Sequence, residues 1–305
     1  MQLSEPRKLD LYRQGYRIVG SHSAVKVCDW TKKSLRGCGF CYKQQFYGIN
    51  SHRCVQMTPA LPFCNHRCVF CWRDIGFTKF RWEGKFDSPK EIVDGCIAEH
   101  IKYLQGFGGN KKVDKIKLKE SFLPDQFAVS LSGEPAFYPK LPELIDEITS
   151  RDFTAFLVTN GTNPEAIKQL INHQPTQLYI TLPAPDEEIY KKICNPLVKD
   201  GWKNILKSIS LLKDFSCNTV LRMTLVKGIN MFYPEKYADI IKDSKAKFVE
   251  LKSYMWVGHS RERLSIENMP LHEEIKEFSE KISKISGYKI KDEKKESRVV
   301  LLQKV

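Results

Sequence analysis

The chain has 305 residues, 42% of them hydrophobic, enough to bury the core of one large α/β domain or two smaller ones. Lys and Arg total 49 against 36 Asp and Glu, a formal charge of +13 that makes nucleic acid a natural partner. No apolar run reaches the ~18 residues of a membrane span, and the N-terminus lacks a signal peptide's apolar core, so a cytoplasmic protein with no membrane partner is expected.

Residues 1 to about 60 read as irregular, aromatic and basic, with little periodicity. From about 63 onward, strand and helix patterns alternate. "SPKEIVDGCIAEHIKYLQG" (88–106) opens with Ser88, places Pro89 at the first helical position and keeps apolar residues at helical spacing. "QFAVSLSGEP" predicts a buried strand ending in a polar turn at 132–135, "PKLPELIDEITSR" a helix, "TAFLVTNGT" a strand and "NPEAIKQLINH" a helix. "QLYITLPAP" is the next strand, followed by a helix over 201–213, the strand "NTVLRMTLVKG", the helix "PEKYADIIKDS" and the strand "AKFVELKSYMW". "LHEEIKEFSEKISKIS" predicts a last helix, "KIKDEKKESR" (289–298) a solvated turn and "RVVLLQKV" a closing strand. This alternation marks a parallel sheet with crossover helices. About six such units are too few for a full eight-fold barrel, so a partial barrel or an open doubly wound sheet is expected. In both, polar residues at the carboxyl ends of the strands line the site.

Eight of the ten cysteines lie between positions 28 and 96, ahead of a long cysteine-poor stretch. That placement favours metal binding over a disulfide scaffold. "CNHRCVFC" sets Cys64, Cys68 and Cys71 at spacings of 4 and 3, with Phe70 before the last. Three thiolates so placed can each bond a different iron of a cubane cluster and leave the fourth iron open, whereas structural zinc usually takes four protein ligands. Cys28, Cys41 and Cys54 recur at intervals of thirteen, and a second three-cysteine cluster would supply folding energy to that segment. Cys38, three before Cys41, leaves half a zinc site as the alternative. Cys96, Cys194 and Cys217 read as packing residues.

The motif "CNHRCVFC" resembles that of the radical S-adenosylmethionine (SAM) superfamily. The resemblance implies a partial (β/α)6 barrel and a [4Fe–4S] cluster whose open iron chelates SAM, with the motif in the loop after the first strand. "LSGEP" is similar to the superfamily's second motif, implying that Ser132, Gly133 and Glu134 receive the methionine amino group. Thr159, Asn160 and Thr181, at the next two strand ends, and Arg222 in "LRMTL" are then candidates for ribose and carboxylate contacts, since guanidinium binds carboxylate bidentately. Phe70 would join the same SAM-binding set.

Read with "YMWVGHSRERLSIENMPLHEEI" (254–275), the chain from "LYRQGYRIVGSHSAVKVC" onward resembles the archaeal 4-demethylwyosine synthases, radical lyases of the wybutosine pathway. The resemblance implies a domain 1–60 with an auxiliary [4Fe–4S] cluster on Cys28, Cys41 and Cys54, then a barrel over 61–305 with the SAM cluster on Cys64, Cys68 and Cys71. It implies removal of hydrogen from the N1-methyl group of N1-methylguanosine at position 37 of tRNA-Phe, addition to pyruvate, loss of the pyruvate carboxyl carbon and ring closure. Pyruvate would be held by the auxiliary iron or as a lysine Schiff base, with Lys43 in "CYK" the candidate. Eukaryotic members add a flavodoxin-like domain for which this sequence has no room, implying an external flavodoxin or ferredoxin; a monomer is expected. An RNA loop is read by stacking and by basic contacts, for which Tyr254, Trp256, His259, Arg261 and Arg263 are the candidates. The competing readings are a radical SAM enzyme with another substrate and a non-catalytic, zinc-bound RNA-binding protein.

Overall fold

Three parallel strands in each of two compact units form the framework. The structure, a computed structural model, describes residues 3–76 and 78–305. The first unit comprises Met1–Phe63, Trp82–Val158 and His173–Thr176, and the second the remainder. In chain order the first holds α1 (Glu5–Arg13), β1 (Arg17–Val19), β2 (Ser23–Val25), α2 (Asp29–Leu35), α3 (Tyr42–Tyr47), β3 (Cys54–Thr58), α4 (Pro89–Gln105), α5 (Lys115–Ser121), β4 (Gln126–Val129), α6 (Leu141–Thr149) and β5 (Thr154–Thr159). Its strand order is β1-β2-β3-β4-β5, with β3, β4 and β5 parallel.

The second unit holds the cysteine loop 64–81, then α7 (Pro164–Gln169), β6 (Gln177–Thr181), α8 (Glu187–Cys194), α9 (Gly201–Ser210), β7 (Asn218–Leu225), α10 (Pro234–Ser244), β8 (Phe248–Ser253), α11 (His272–Ser286), β9 (Lys289–Lys294) and β10 (Val299–Gln303). Strands β6, β7 and β8 are parallel, and β10 adds antiparallel to β8 with β9 outside it.

Sequence and structure agree where the pattern is long. Helix α4 starts at a capping box formed by Ser88 and Glu91, and buries Ile92, Val93, Cys96, His100 and Leu104 on one face. Strand β4 is buried throughout, as a central parallel strand must be. Two readings change. The stretch 1–60 is not irregular: it carries three helices and three strands, and β3 within it pairs in register with β4. Its elements run from three to nine residues, too short for periodicity to register. The stretch 289–298 is not simply a turn, because β9 pairs with β10 along most of its length. Its alternating charges suit an exposed outer strand, which natural sheets protect with charge. Among the described residues no helix is long and apolar enough to cross a membrane.

Candidate active site

The three upstream cysteines begin three different elements. Cys28 caps α2, its sulfur accepting the Thr31 N–H at 3.3 Å; Cys41 caps α3; Cys54 opens β3. Buried Ser51 ties their segments together. Its carbonyl accepts from Thr31 Oγ1 at 2.9 Å, its Oγ accepts the Cys41 N–H at 2.9 Å, and it donates to Gln44 Oε1 at 2.8 Å. Burial pushes the Cys54 thiol well above its ordinary pKa; Cys28 and Cys41 add to the rise and Lys43 opposes it. These four side chains therefore act on one another. Lys43 follows Cys41 in α3, is buried, and holds Nζ 5.3 Å from the Phe156 ring centre. Cys38, which would supply half a zinc pair in the alternative reading, is exposed, with its sulfur turned to the Arg36 carbonyl.

The loop carrying Cys64, Cys68 and Cys71 is held by its backbone. Arg67 N–H donates to Cys194 O at 3.0 Å, Val69 N–H to Ile193 O at 2.9 Å, and Leu197 N–H to Asn65 O at 2.9 Å, fixing one flank to the end of α8. Asn65 donates to Thr162 Oγ1 at 2.8 Å and accepts from Asn160 Nδ2 at 2.9 Å. On the other flank, His259 N–H donates to Trp72 O at 2.9 Å and Arg263 Nε to Val69 O at 3.2 Å, while Arg263 Nη2 donates to Cys71 O. Phe70 sits half-buried within this loop.

Side chains missed by sequence reasoning surround these sulfurs. Cys194 is not mere packing: its donor atom lies within 4.8 Å of those of Cys68 and His66. The hydrogen bond with Cys194, followed by burial, pushes the Cys68 thiol well above its ordinary pKa. His66 Nε2 is engaged by Tyr190 OH at 2.8 Å. Burial disfavours the charge of Arg73, but Cys64 and Cys71, a hydrogen bond to Cys71, and Cys68 outweigh it and raise its pKa. Its Nη1 is buried and has no hydrogen-bond partner among the described residues.

That orphaned donor provides the test of fit. A buried guanidinium beside three sulfurs, with one N–H unanswered, suits an anionic sulfur-rich group.

The "LSGEP" turn is rigid in its own unit. Thr58 Oγ1 donates to Ser132 O at 2.5 Å and Glu134 N–H to Phe63 O at 2.7 Å. Gly133 has φ +71°, and a Cβ there would lie 1.9 Å from Ala60 O, so only glycine fits. The Glu134 carboxylate caps the following turn through Ala136 N–H at 3.0 Å. In the second unit, the side chains of Thr159 and Asn160 accept from Gly161 N–H at 3.1 Å and Thr162 N–H at 3.0 Å. The Asn160 amide thus shapes the turn and holds Asn65 rather than standing ready for a ribose. Thr181, Arg222 and Glu250 are successive register partners on β6, β7 and β8, hence one polar row on one sheet face. Glu250 is fully buried and was not singled out from sequence.

Of the five RNA candidates, Arg261 is exposed, and its guanidinium lies 4.6 Å over the half-buried Trp256 ring. His259 pairs with Glu262 at 2.8 Å. Two expectations are corrected. Tyr254 is 1% exposed and donates to Ser260 Oγ at 2.8 Å, so its ring cannot stack on a base. Arg263 turns inward onto the cysteine loop.

Comparison with known proteins agrees with this arrangement. The "Radical SAM superfamily" pattern matches residues 58–241, and the pattern described as "Wyosine base formation" matches 243–304. The S-adenosyl-L-methionine-dependent tRNA 4-demethylwyosine synthase of Pyrococcus horikoshii is 50% identical over 97% of this chain and 88% of its own. The enzyme of the same name from Methanocaldococcus jannaschii is 40% identical over 96% of this chain and 94% of its own. A solved structure of TYW1 with a lysine–pyruvate adduct bound is 37% identical, covers 99% of this chain and 97% of its own, and superposes with a TM-score of 0.90.

Proposed function

The chain belongs to the radical SAM superfamily and, within it, to the tRNA 4-demethylwyosine synthases, and we propose that it condenses N1-methylguanosine at position 37 of tRNA-Phe with pyruvate to form 4-demethylwyosine. Its fold is the partial radical SAM barrel, and its cofactors are SAM and [4Fe–4S] iron–sulfur clusters. The observation that carries the reading is Lys43, a buried amine set among Cys28, Cys41 and Cys54. A zinc-bound RNA-binding protein would have no use for such an amine.

Cys64, Cys68 and Cys71 would hold a [4Fe–4S] cluster, which would supply the electron for SAM cleavage, and Cys28, Cys41 and Cys54 would hold a second next to Lys43. Lys43 adds its amine to the keto carbon of pyruvate with loss of water; an amine in a TYW1 structure carries such an adduct, and burial in general favours the uncharged, nucleophilic form. Held at C2, the pyruvate keeps C2 and C3 in place while C1 departs. Arg222 is suited to a carboxylate through its forked donors, with Glu250 beside it in register to fix its plane. Gly133 holds the "SGEP" turn against Ala60 and so fixes the backbone that carries Glu134. Trp256 and Arg261 present a ring and a cation to the anticodon loop. A flavodoxin or ferredoxin reduces the protein, which works as a cytoplasmic monomer.

Mass spectrometry of methylated tRNA incubated with reduced protein, SAM and carbon-13-labelled pyruvate tests the reading. The tricyclic base is expected to carry label from C2 and C3 but none from C1. Deoxyadenosine formation with no labelled base in the tRNA would point to another substrate.

A further inference from the structure

One short segment, residues 256–263, has two faces. Arg261 is exposed and Trp256 half-buried on the outer one. The inner one is bonded to the cysteine loop. Gly258, at φ +59°, lets the chain approach so closely that a Cβ would lie 2.2 Å from Trp72 O. His259 N–H reaches that same carbonyl at 2.9 Å. Arg263 then forks onto Val69 O and Cys71 O.

We propose that Arg263 is a positioning residue for the SAM-cluster loop, acting through the carbonyls on either side of Phe70 rather than through RNA; this rests on the assignment of that cluster to Cys64, Cys68 and Cys71. The neighbouring hydrogen bonds on the backbone between Cys68 and Trp72 run to other backbone groups. Val69 N–H goes to Ile193 O at 2.9 Å, Cys71 N–H to Cys68 O at 3.1 Å and Trp72 O to His259 N–H. Arg263 therefore supplies the side-chain restraint at two of the carbonyls, one of them belonging to the ligand Cys71. A planar guanidinium fixes two acceptors in one orientation, which a flexible ammonium cannot do. Losing it leaves both carbonyls free to rotate, and the sulfur of Cys71 moves with its own peptide.

The experiment compares wild type with Arg263→Ala, Arg263→Lys, Gly258→Ala and Cys68→Ala, each reconstituted anaerobically with iron and sulfide. The readouts are the electron paramagnetic resonance spectrum of the reduced protein with and without SAM, the SAM dissociation constant and tRNA affinity. Arg263→Ala is expected to bind SAM roughly tenfold more weakly, the size of effect that follows from losing hydrogen bonds to a charged donor. It should blunt the spectral change that SAM induces and leave tRNA affinity within about twofold. Lys should fail to restore the spectrum, and Gly258→Ala, which pushes the same segment away from the loop at Trp72 O, should reproduce the defect. An unchanged spectrum and SAM affinity in Arg263→Ala, with tRNA binding lost, would make Arg263 an RNA contact and overturn the proposal. Cys68→Ala separates the two layers: if it keeps the SAM-responsive signal, the cluster assignment itself is wrong; if it loses that signal while Arg263→Ala keeps it, only the positioning role falls.

Discussion

Replacing Ser51 by alanine removes a hydroxyl and nothing else, yet it should release one cluster and spare the other. The Oγ accepts the Cys41 N–H at 2.9 Å and donates to Gln44 Oε1 at 2.8 Å, at a residue only 1% exposed. Each bond contributes about 1 kcal/mol net, so the loss is about 2 kcal/mol, or roughly a 30-fold weaker hold. It falls on the segment that brings Cys41 toward Cys54, where metal binding and local folding are one equilibrium. The assay is iron and sulfide content after anaerobic reconstitution, followed by the rate of iron loss to a chelator. Wild type should hold about eight irons per chain, and Ser51→Ala about four after mild chelation. The variant should still cleave SAM, but without forming the tricyclic base. If Ser51→Ala kept all its iron at the wild-type chelation rate, the hub argument would be wrong.

Lys43→Ala is expected to abolish the labelled base and the borohydride-trapped pyruvate adduct on the 42–47 peptide while deoxyadenosine still accumulates; trapping at another lysine would move the nucleophile elsewhere. His100 is fully buried, neither ring nitrogen finds a partner among the described residues, and burial pushes its pKa down to about 4. The unfolded chain, with an ordinary imidazole pKa of about 6.5, binds the proton more readily, so stability should fall as pH drops below 6.5, by about 2 kcal/mol at pH 5 and about 3 kcal/mol below pH 4. His100→Met should flatten that part of the urea-midpoint profile, and a parallel decline in both proteins would assign the acid sensitivity to other groups. Trp256→Ala should weaken tRNA binding by about 1–3 kcal/mol, as expected for a lost stacking contact, without changing the salt slope. Arg261→Ala should instead lower the slope of log affinity against log salt by about one phosphate contact, and equal slopes would show that its charge does not face the backbone.

What the sequence made legible was whatever depends on near neighbours. The spacing of Cys64, Cys68 and Cys71 is local chemistry, and so is the capping box at Ser88 and Glu91. Strands such as "QFAV" and "TAFLVT" declare themselves through continuous apolar character. Legibility failed where a side chain's task is set by distant parts of the chain. Cys194 read as an isolated packing thiol, and only folding brings it to Cys68. Ser51 carries no motif, because its value lies in meeting Thr31, Cys41 and Gln44 at once. Arg73 stood beside the motif, and a cation adjoining three cysteines was a signal available to read. Tyr254 was misread because an aromatic next to basic residues fits a core as well as an RNA face, and composition carries no direction.

The two sulfur sets are anchored by different means, and that difference has consequences. The segments of Cys28 and Cys41 meet at one carbonyl and one hydroxyl of a single serine, so deleting the hydroxyl should loosen Cys41. Cys64, Cys68 and Cys71 sit on a loop bonded along both flanks, by backbone groups from α8 and by the 258–263 segment. Backbone restraints cannot be deleted by substitution, so mutation reaches that loop through side chains: Asn65 and His66 on the α8 flank, and Arg263 with Gly258 on the other. On the proposed assignment, a loop that presents three ligands and leaves the fourth iron to SAM has more need of such redundancy than a loop whose metal also serves its folding.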